Sequence, residues 1–193
     1  MADTNKIKYG IKNVHYAVAT IAANGSATYG TPVALPGAVS ISLDAQGETS
    51  PFYADNIAYW TAVSNNGYEG DLELAKVPDS FLTDILGYGE DKNDVLYEDA
   101  NAAVIHFALT FQFEGDAHAR RHVLYNCVAS RPSISGQTKE DAIEPQTETI
   151  NITATSVYNS ARDADIVKAS CTPTEATQYN AWNTTIYQPV ADT

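Results

Sequence analysis

The residues from Ala102 to Glu114 alternate between apolar and polar side chains, and this pattern constrains the fold more than any other. One face of the segment carries Ile105, Phe107, Leu109, Phe111 and Phe113. Side chains point to opposite faces at every second residue of a β-strand, so this spacing predicts a strand with one buried face. Similar but shorter patterns predict further strands over 11–21, 38–43, 68–77, 120–129, 147–158 and 166–170. The sequence therefore predicts a mainly β chain. Its strongest helix prediction covers Pro78 to Leu86.

A long segment between two of these strands, Asp44 to Asn66, does not fit an ordinary turn. It contains Gly, Pro and Asn residues together with the aromatic residues Phe52, Tyr53, Tyr59 and Trp60. The spacing predicts a long hairpin or excursion that a single copy of the chain would leave exposed. The alternative is a satellite cluster that folds back on the sheet of the same chain.

The strand that follows, Tyr68 to Val77, carries acidic residues on one face. Glu69, Asp71 and Glu73 alternate with Leu72 and Leu74, so the carboxylates point away from the expected core. Their regular spacing along one strand does not place an acid and a base across a cleft. The face is either a solvated outer surface or the wall of an internal channel.

The charge balance excludes several kinds of partner. The 193 residues carry 24 acidic and 11 basic side chains, a formal net charge of −13. Residues 44–99 hold 13 of these acids against Lys76 and Lys92, whereas residues 1–40 are slightly basic. Such a chain does not hold nucleic acid by neutralising phosphates, and anionic membranes repel it. No apolar run approaches a membrane span and no secretory signal is visible, which predicts a cytoplasmic chain.

No pattern in the sequence predicts catalysis or a cofactor. The chain lacks a phosphate-binding loop, a dinucleotide-binding glycine pattern and a nucleophile elbow. His118 and His122 have no third His or Cys ligand nearby, and His106 lies within a strand as a packed or channel-side residue. Cys127 and Cys171 are predicted to be buried, reduced thiols rather than a disulfide. The chain is therefore predicted not to be an enzyme and to bind no metal.

Several segments together resemble the major tail proteins of phages with long, non-contractile tails. The resemblance begins with Asn5-Lys-Ile-Lys-Tyr-Gly-Ile-Lys-Asn-Val-His-Tyr-Ala17 and continues in Leu35-Pro-Gly-Ala-Val-Ser-Ile-Ser-Leu-Asp-Ala-Gln-Gly-Glu48. It includes Phe52-Tyr-Ala-Asp-Asn-Ile57, Asn66-Gly-Tyr-Glu-Gly-Asp-Leu-Glu-Leu74, Phe107-Ala-Leu-Thr-Phe-Gln-Phe-Glu-Gly115 and Thr149-Ile-Asn-Ile-Thr-Ala154. It extends to about Val157, and the last 30 residues match nothing in that pattern.

The resemblance implies a tail tube protein with two packed antiparallel sheets, as a β-sandwich or barrel, one flanking short helix, a long hairpin and terminal arms. Residues 1–193 would form one tail tube domain, with 44–66 as an inter-subunit excursion and roughly 160–193 as a C-terminal extension. Six copies would form a ring, and stacked rings would enclose a channel.

The tube would surround the tape-measure protein, meet tail terminator and distal tail proteins, and let DNA pass without specific binding. Its place would be the virion tail, assembled in the host cytoplasm. In this arrangement Glu69, Asp71 and Glu73 would line the lumen, and the aromatic residues of the excursion would contact neighbouring subunits.

Two other functions are compatible with the composition. Another β-protein of the virion, such as a baseplate, terminator or decoration protein, would share the fold. A carbohydrate-binding β-sandwich would use some of the 12 tyrosines and 2 tryptophans as sugar-stacking platforms. Long open-ended cylinders of one chain would identify a tube protein, whereas a sugar binder would stay monomeric and bind a glycan.

Overall fold

A computed structural model describes residues 7–114, 118–138 and 145–191 as fifteen strands and two short helices. In chain order, the strands are β1 Ile11–Ile21, β2 Ala27–Tyr29, β3 Val33–Ala34, β4 Ala38–Gln46, β5 Thr49–Ala54, β6 Ile57–Val63, β7 Gly67–Leu74, β8 Gly89–Glu90, β9 Leu96–Tyr97, β10 His106–Phe113, β11 Arg121–Ala129, β12 Glu148–Thr155, β13 Val157–Asn159, β14 Ala164–Ile166 and β15 Lys168–Cys171. The helices are α1 Asp79–Asp84 and α2 Ala176–Ala181. The prediction of a mainly β chain is confirmed.

The main sheet folds into two layers that share strand β11. Its path runs β2-β1-β10-β11-β12-β7-β4, and every pair is antiparallel. The first half of β11, Arg121–Leu124, pairs with β15, whereas Asn126–Ala129 pairs with β12. One layer therefore contains β1, β10 and β11, and the other contains β12, β7 and β4. This arrangement confirms the expected fold of packed antiparallel sheets.

The core between the two layers uses the alternation seen in the sequence. The apolar face of β10 supplies Phe107 and Leu109, and the facing layer supplies Leu72 and Ile150, all fully buried. Helix α1 closes one end of this core with Phe81, whose ring meets Tyr16 and Phe107 edge-on at centroid distances of 5.1 and 5.7 Å. The Tyr16 hydroxyl donates a hydrogen bond to the Asp84 carboxylate at 2.9 Å, which ties the short helix to β1.

A second apolar cluster covers the other face of the β1-β10-β11 layer. The C-terminal segment after α2 contributes Trp182 and Ile186, which pack against Ala108 and Tyr125. Trp182 stacks on Tyr187 with 5.7 Å between ring centroids, and its indole nitrogen donates to the His122 carbonyl at 3.2 Å. Residues 182–187 therefore pack on the sheet of their own subunit, although no pattern in the sequence predicted this contact.

Candidate assembly surfaces

Within the segment Asp44 to Asn66, residues 44–46 end β4, and strands β5 and β6 form a two-stranded ribbon that continues the hairpin of β4 and β7 beyond the main sheet. Strands β5 and β6 pair with each other, and the structure records no other strand beside them among the described residues. The turn at Asp55 and Asn56 has φ angles of +51° and +64°, as a type I′ hairpin turn requires. Hydrogen bonds from Ser64 N to Glu48 O and from Asn66 N to Gln46 O, each 2.9 Å, join the ribbon to the sheet.

Gly47 lies at the junction between the ribbon and the sheet, and its position explains why a glycine is needed there. A Cβ atom at residue 47 would lie 2.2 Å from the Ser64 carbonyl oxygen. The two strands approach too closely at this point for any side chain. The sequence thus allows the hairpin to continue without a break in its pairing.

The four aromatic residues of this segment, which were predicted to contact neighbouring subunits, are all exposed in the single subunit. Phe52, Tyr53, Tyr59 and Trp60 retain 60%, 66%, 69% and 62% of their accessible surface. None of them belongs to either apolar cluster. They do not fold back on the sheet of their own chain, so the satellite-cluster alternative is wrong for the single subunit. Their contact with neighbouring subunits stays a prediction.

The aromatic side chains project from both faces of the ribbon. Phe52 and Trp60 are direct cross-strand partners, so they share one face. Tyr53 and Tyr59 each neighbour one of these residues along the strand, which turns them toward the other face. A bulge follows the Phe52–Trp60 pair. Apolar surface on both sides of an unsupported ribbon is unusual for a protein that stays monomeric.

The acidic residues of β7 lie on the surface opposite the core, as their spacing predicts. Leu72 and Leu74 are fully buried, whereas Glu69 and Asp71 are exposed and Glu73 is half-buried. The neighbouring strands add polar residues in register with them, namely Ser40, Ser42 and Asp44 from β4 and Thr149, Asn151 and Thr153 from β12. We call the nine side chains of these three strands the acidic face. It carries four carboxylates and no basic residue.

Hydroxyl groups stabilise one carboxylate of the acidic face. Glu73 accepts a hydrogen bond of 2.6 Å from the Thr147 hydroxyl and one of 2.8 Å from the Ser40 hydroxyl. These bonds, the Thr147 bond first, hold the pKa of Glu73 below its ordinary value, so the group stays ionised. Asp71 has a longer contact of 3.4 Å with the Asn151 amide. The role of this face as the wall of a lumen stays a prediction.

The second face of β10 is buried as well, and it carries Ala108, Thr110 and Gln112. Ala108 packs in the cluster that contains Trp182 and Ile186, and the Gln112 amide donates a hydrogen bond to the Tyr179 hydroxyl at 3.1 Å. His106 is half-buried, and its Nδ1 lies 2.7 Å from the side-chain oxygen of Asn126. Small and hydroxyl side chains gave no signal that this face would be covered.

The described residues contain no arrangement typical of a catalytic metal site. No group of three metal-binding side chains comes together within them. Both cysteines are free and buried, and burial raises the pKa of the Cys127 thiol. No helix in the described ranges is both long and apolar enough to cross a bilayer.

Comparison with known proteins decides the family. The family described as phage tail tube protein matches residues 2–192. The chain belongs to this family. The match includes the C-terminal residues beyond Val157, where the sequence resemblance had ended. A tail tube protein is a structural component of a phage tail. The match confirms the family that the sequence indicated.

Other comparisons give only distant likenesses. No curated protein matches the chain. Among solved structures it is similar to the tube terminating cap of the anti-feeding prophage, with 12% identity, a TM-score of 0.42, and coverage of 89% of this chain and 99% of that one. It is also similar to a chain in the baseplate structure of the same particle, with 8% identity, a TM-score of 0.47, and coverage of 88% of this chain and 97% of that one.

A third similar structure is the sheath/tube terminator of an extracellular contractile injection system, with 10% identity, a TM-score of 0.45, and coverage of 85% of this chain and 98% of that one. The family match does not concern the type of tail, so the non-contractile type that the sequence resemblance indicated stays a prediction.

Proposed function

We propose that this chain is the repeating subunit of a phage tail tube, in which hexameric rings stack around a channel. The observation that carries the proposal is the β5-β6 ribbon, which has exposed aromatic residues on both faces and no support from its own domain. Burying such residues is worth roughly 1.5–3 kcal/mol each. Contact with other copies would bury these side chains and stabilise the assembly by this free energy, which is not available to a lone subunit.

The edges of the main sheet supply a second argument for ring formation. Within the described ranges the strand path ends at β2 and at β4. An edge strand exposes unpaired backbone donors and acceptors, and closure into a barrel removes such edges. A ring in which each copy pairs its edge with the next would do this for every subunit.

The acidic face would form the wall of the channel. Six copies would place rings of Glu69, Asp71 and Glu73 around the lumen, and DNA phosphates would not adhere to them. Basic residues in those positions would bind phosphates and release counterions, which would slow DNA passage. The chain would thus serve as a non-enzymatic conduit in the tail of a phage with a long, non-contractile tail. It would assemble in the host cytoplasm around a tape-measure protein, between terminator and distal tail proteins.

The first experiment tests assembly through the ribbon. Negative-stain microscopy and light scattering of the purified chain should show rings or open-ended tubes at high concentration. The double variant Tyr59→Ser and Trp60→Ser should remain folded and soluble but fail to polymerise, since its residues do not support the core. As a control, Val95→Ser and Tyr97→Ser change two other exposed apolar residues far from the ribbon in sequence. A sharp monomer at all concentrations and salts, with no tubes, would contradict the proposal.

The second experiment tests the channel wall. The triple variant Glu69→Lys, Asp71→Lys and Glu73→Lys should assemble into tubes that retain DNA at low salt and eject it slowly. The triple variant Asp163→Lys, Asp165→Lys and Glu175→Lys makes the same change of charge at exposed positions outside the acidic face. Equal ejection rates from the two variants would show that the carboxylates of β7 do not line the path of DNA.

A further inference from the structure

The two layers of the sheet separate at one end and leave an apolar cavity open. Because β12 pairs with the second half of β11, no strand pairing among the described residues joins the two layers beside Arg121–Leu124. A cavity of about 220 Å³ lies there. Ile41, Leu43 and Tyr68 line it from one layer, and Phe111 and Phe113 line it from the other. We call this the core mouth.

Two lysines give the core mouth a positive rim. The Lys8 ammonium lies 4.5 Å from the centre of the Phe113 ring, and the Lys168 ammonium lies 4.4 Å from the centre of the Tyr68 ring. Cation–π contacts of this kind hold the charged groups over the aromatic edge of the cavity. A positive rim stands out in a chain whose net charge is −13.

The β5-β6 ribbon has the complementary properties. The residues that join β4 to β7 through the ribbon, 47–66, carry Glu48 and Asp55 and no basic residue. The Phe52–Trp60 pair is exposed on one face. An acidic ribbon with an aromatic pair therefore matches an apolar cavity with a cationic rim, in both polarity and charge.

The ribbon of the same chain does not reach the core mouth. Phe52 lies nine residues along the extended strand from Leu43, which corresponds to roughly 30 Å. No residue of β5 or β6 lines the cavity, and the two strands pair with each other beyond the β4-β7 hairpin. A ribbon that fills the cavity would therefore belong to another copy.

We propose that the core mouth of one subunit receives the Phe52–Trp60 pair of a second subunit. The inference rests on the proposed self-assembly and names the surface that receives the ribbon. The ribbon and the core mouth are different patches on the surface of each subunit. A contact between the ribbon of one copy and the core mouth of the next is therefore heterologous and repeats from copy to copy. Such a contact closes into a ring or continues as a stack, and both are parts of a tube.

Cross-linking between two singly labelled variants tests the contact. Both chains carry Cys171→Ala to remove the cysteine nearer the surface; one adds Ser50→Cys and the other adds Leu43→Cys. Ser50 lies two residues before Phe52 on the same ribbon face, so the aromatic pair is intact. After the variants are mixed and assembled, a short bis-maleimide should join residues 43 and 50 of different chains, and mass spectrometry identifies the linked peptides. Each variant alone gives the baseline.

The matched control replaces Leu43→Cys with Ser42→Cys, which lies next to it on β4 but faces the acidic side. A yield of cross-linked product that is several-fold higher with Leu43→Cys than with Ser42→Cys supports the proposal. Tubes that form with equal linking at both positions overturn it while leaving the proposed function in place. Absence of tubes from the unmodified chain refutes the proposed function, and the docking contact with it. If Leu43→Cys lowers the melting temperature, Ile41→Cys in the same cavity replaces it.

The positive rim gives an independent readout. The double variant Lys8→Glu and Lys168→Glu should need about tenfold more protein to assemble, because two exposed ion pairs contribute up to roughly this factor. The deficit should shrink as salt rises, since salt screens exposed charges. An assembly threshold equal to that of the unmodified chain would show that the rim does not meet the acidic ribbon.

Discussion

The substitution Trp182→Ala tests whether the C-terminal segment is part of the subunit's own fold. Trp182 is only 2% exposed, stacks on Tyr187 and donates a hydrogen bond to the His122 carbonyl. Burial of roughly 200 Å² of aromatic surface at about 25 cal/mol per Å² corresponds to about 5 kcal/mol, which is an upper estimate. Removing large side chains from cores costs about 3–5 kcal/mol, so we expect a loss of about 4 kcal/mol.

The second tryptophan of the chain provides the control. Trp60 is 62% exposed, so Trp60→Ala should change the free energy of unfolding of the isolated subunit by about 0.5 kcal/mol or less. For a chain of this size, about 4 kcal/mol lowers the melting temperature by roughly 8–16 °C. The measurement is urea and thermal unfolding followed by far-ultraviolet circular dichroism, at a concentration at which the chain is monomeric. Equal effects of the two substitutions would refute the packing of Trp182 on its own domain.

Three further predictions follow from the structure of the single subunit. Phe81→Ala should destabilise the fold by about 3–5 kcal/mol, since it removes both edge-on contacts that close the core; a loss below about 1 kcal/mol in urea unfolding would contradict this. Thr147→Val should raise the pKa of Glu73 toward its ordinary value in an NMR titration, because the hydroxyl is the main cause of the lowered pKa. The stability that Glu73 adds is present above its unfolded pKa and is lost as the pH falls through the lowered folded pKa, so the difference from Glu73→Gln should vanish in acid. Cys127 should resist maleimide until the chain unfolds, because it is fully buried and burial raises the pKa of its thiol; labelling in the folded state would indicate an opening near β10.

The elements that the sequence predicts well are those whose signal is local. Alternation over Ala102 to Glu114 predicts β10, and the helix predicted from Pro78 to Leu86 contains α1. Period-two spacing also places Glu69, Asp71 and Glu73 opposite the core. In each case neighbouring residues in the chain decide the outcome, so one segment contains the whole signal.

The packing of the C-terminal segment has no such local signal. Trp182 and Ile186 contact strands that lie about 60 or more residues earlier in the chain, and polar residues such as Asn180 and Thr184 surround them in sequence. Helix α2 begins at Ala176, and its N-cap residue Glu175 makes no side-chain capping bond. Long-range packing decides the position of this segment, and local propensity does not reveal it.

The acidic face has no explanation within the single subunit. Only Glu73 has short hydrogen bonds that compensate its charge, whereas Asp44 lies directly opposite Glu69 in the β4-β7 register. Like charges at opposed positions of antiparallel strands destabilise a sheet. Six copies in a ring would bring further carboxylates near one another and add to this cost. The exposed aromatic residues of the ribbon offer the compensating free energy, because their burial between copies would offset the repulsion. In the proposed tube, a channel wall that repels phosphates and a ribbon that binds the next subunit would therefore be two parts of one arrangement, in which assembly would supply the stability that the acidic face removes.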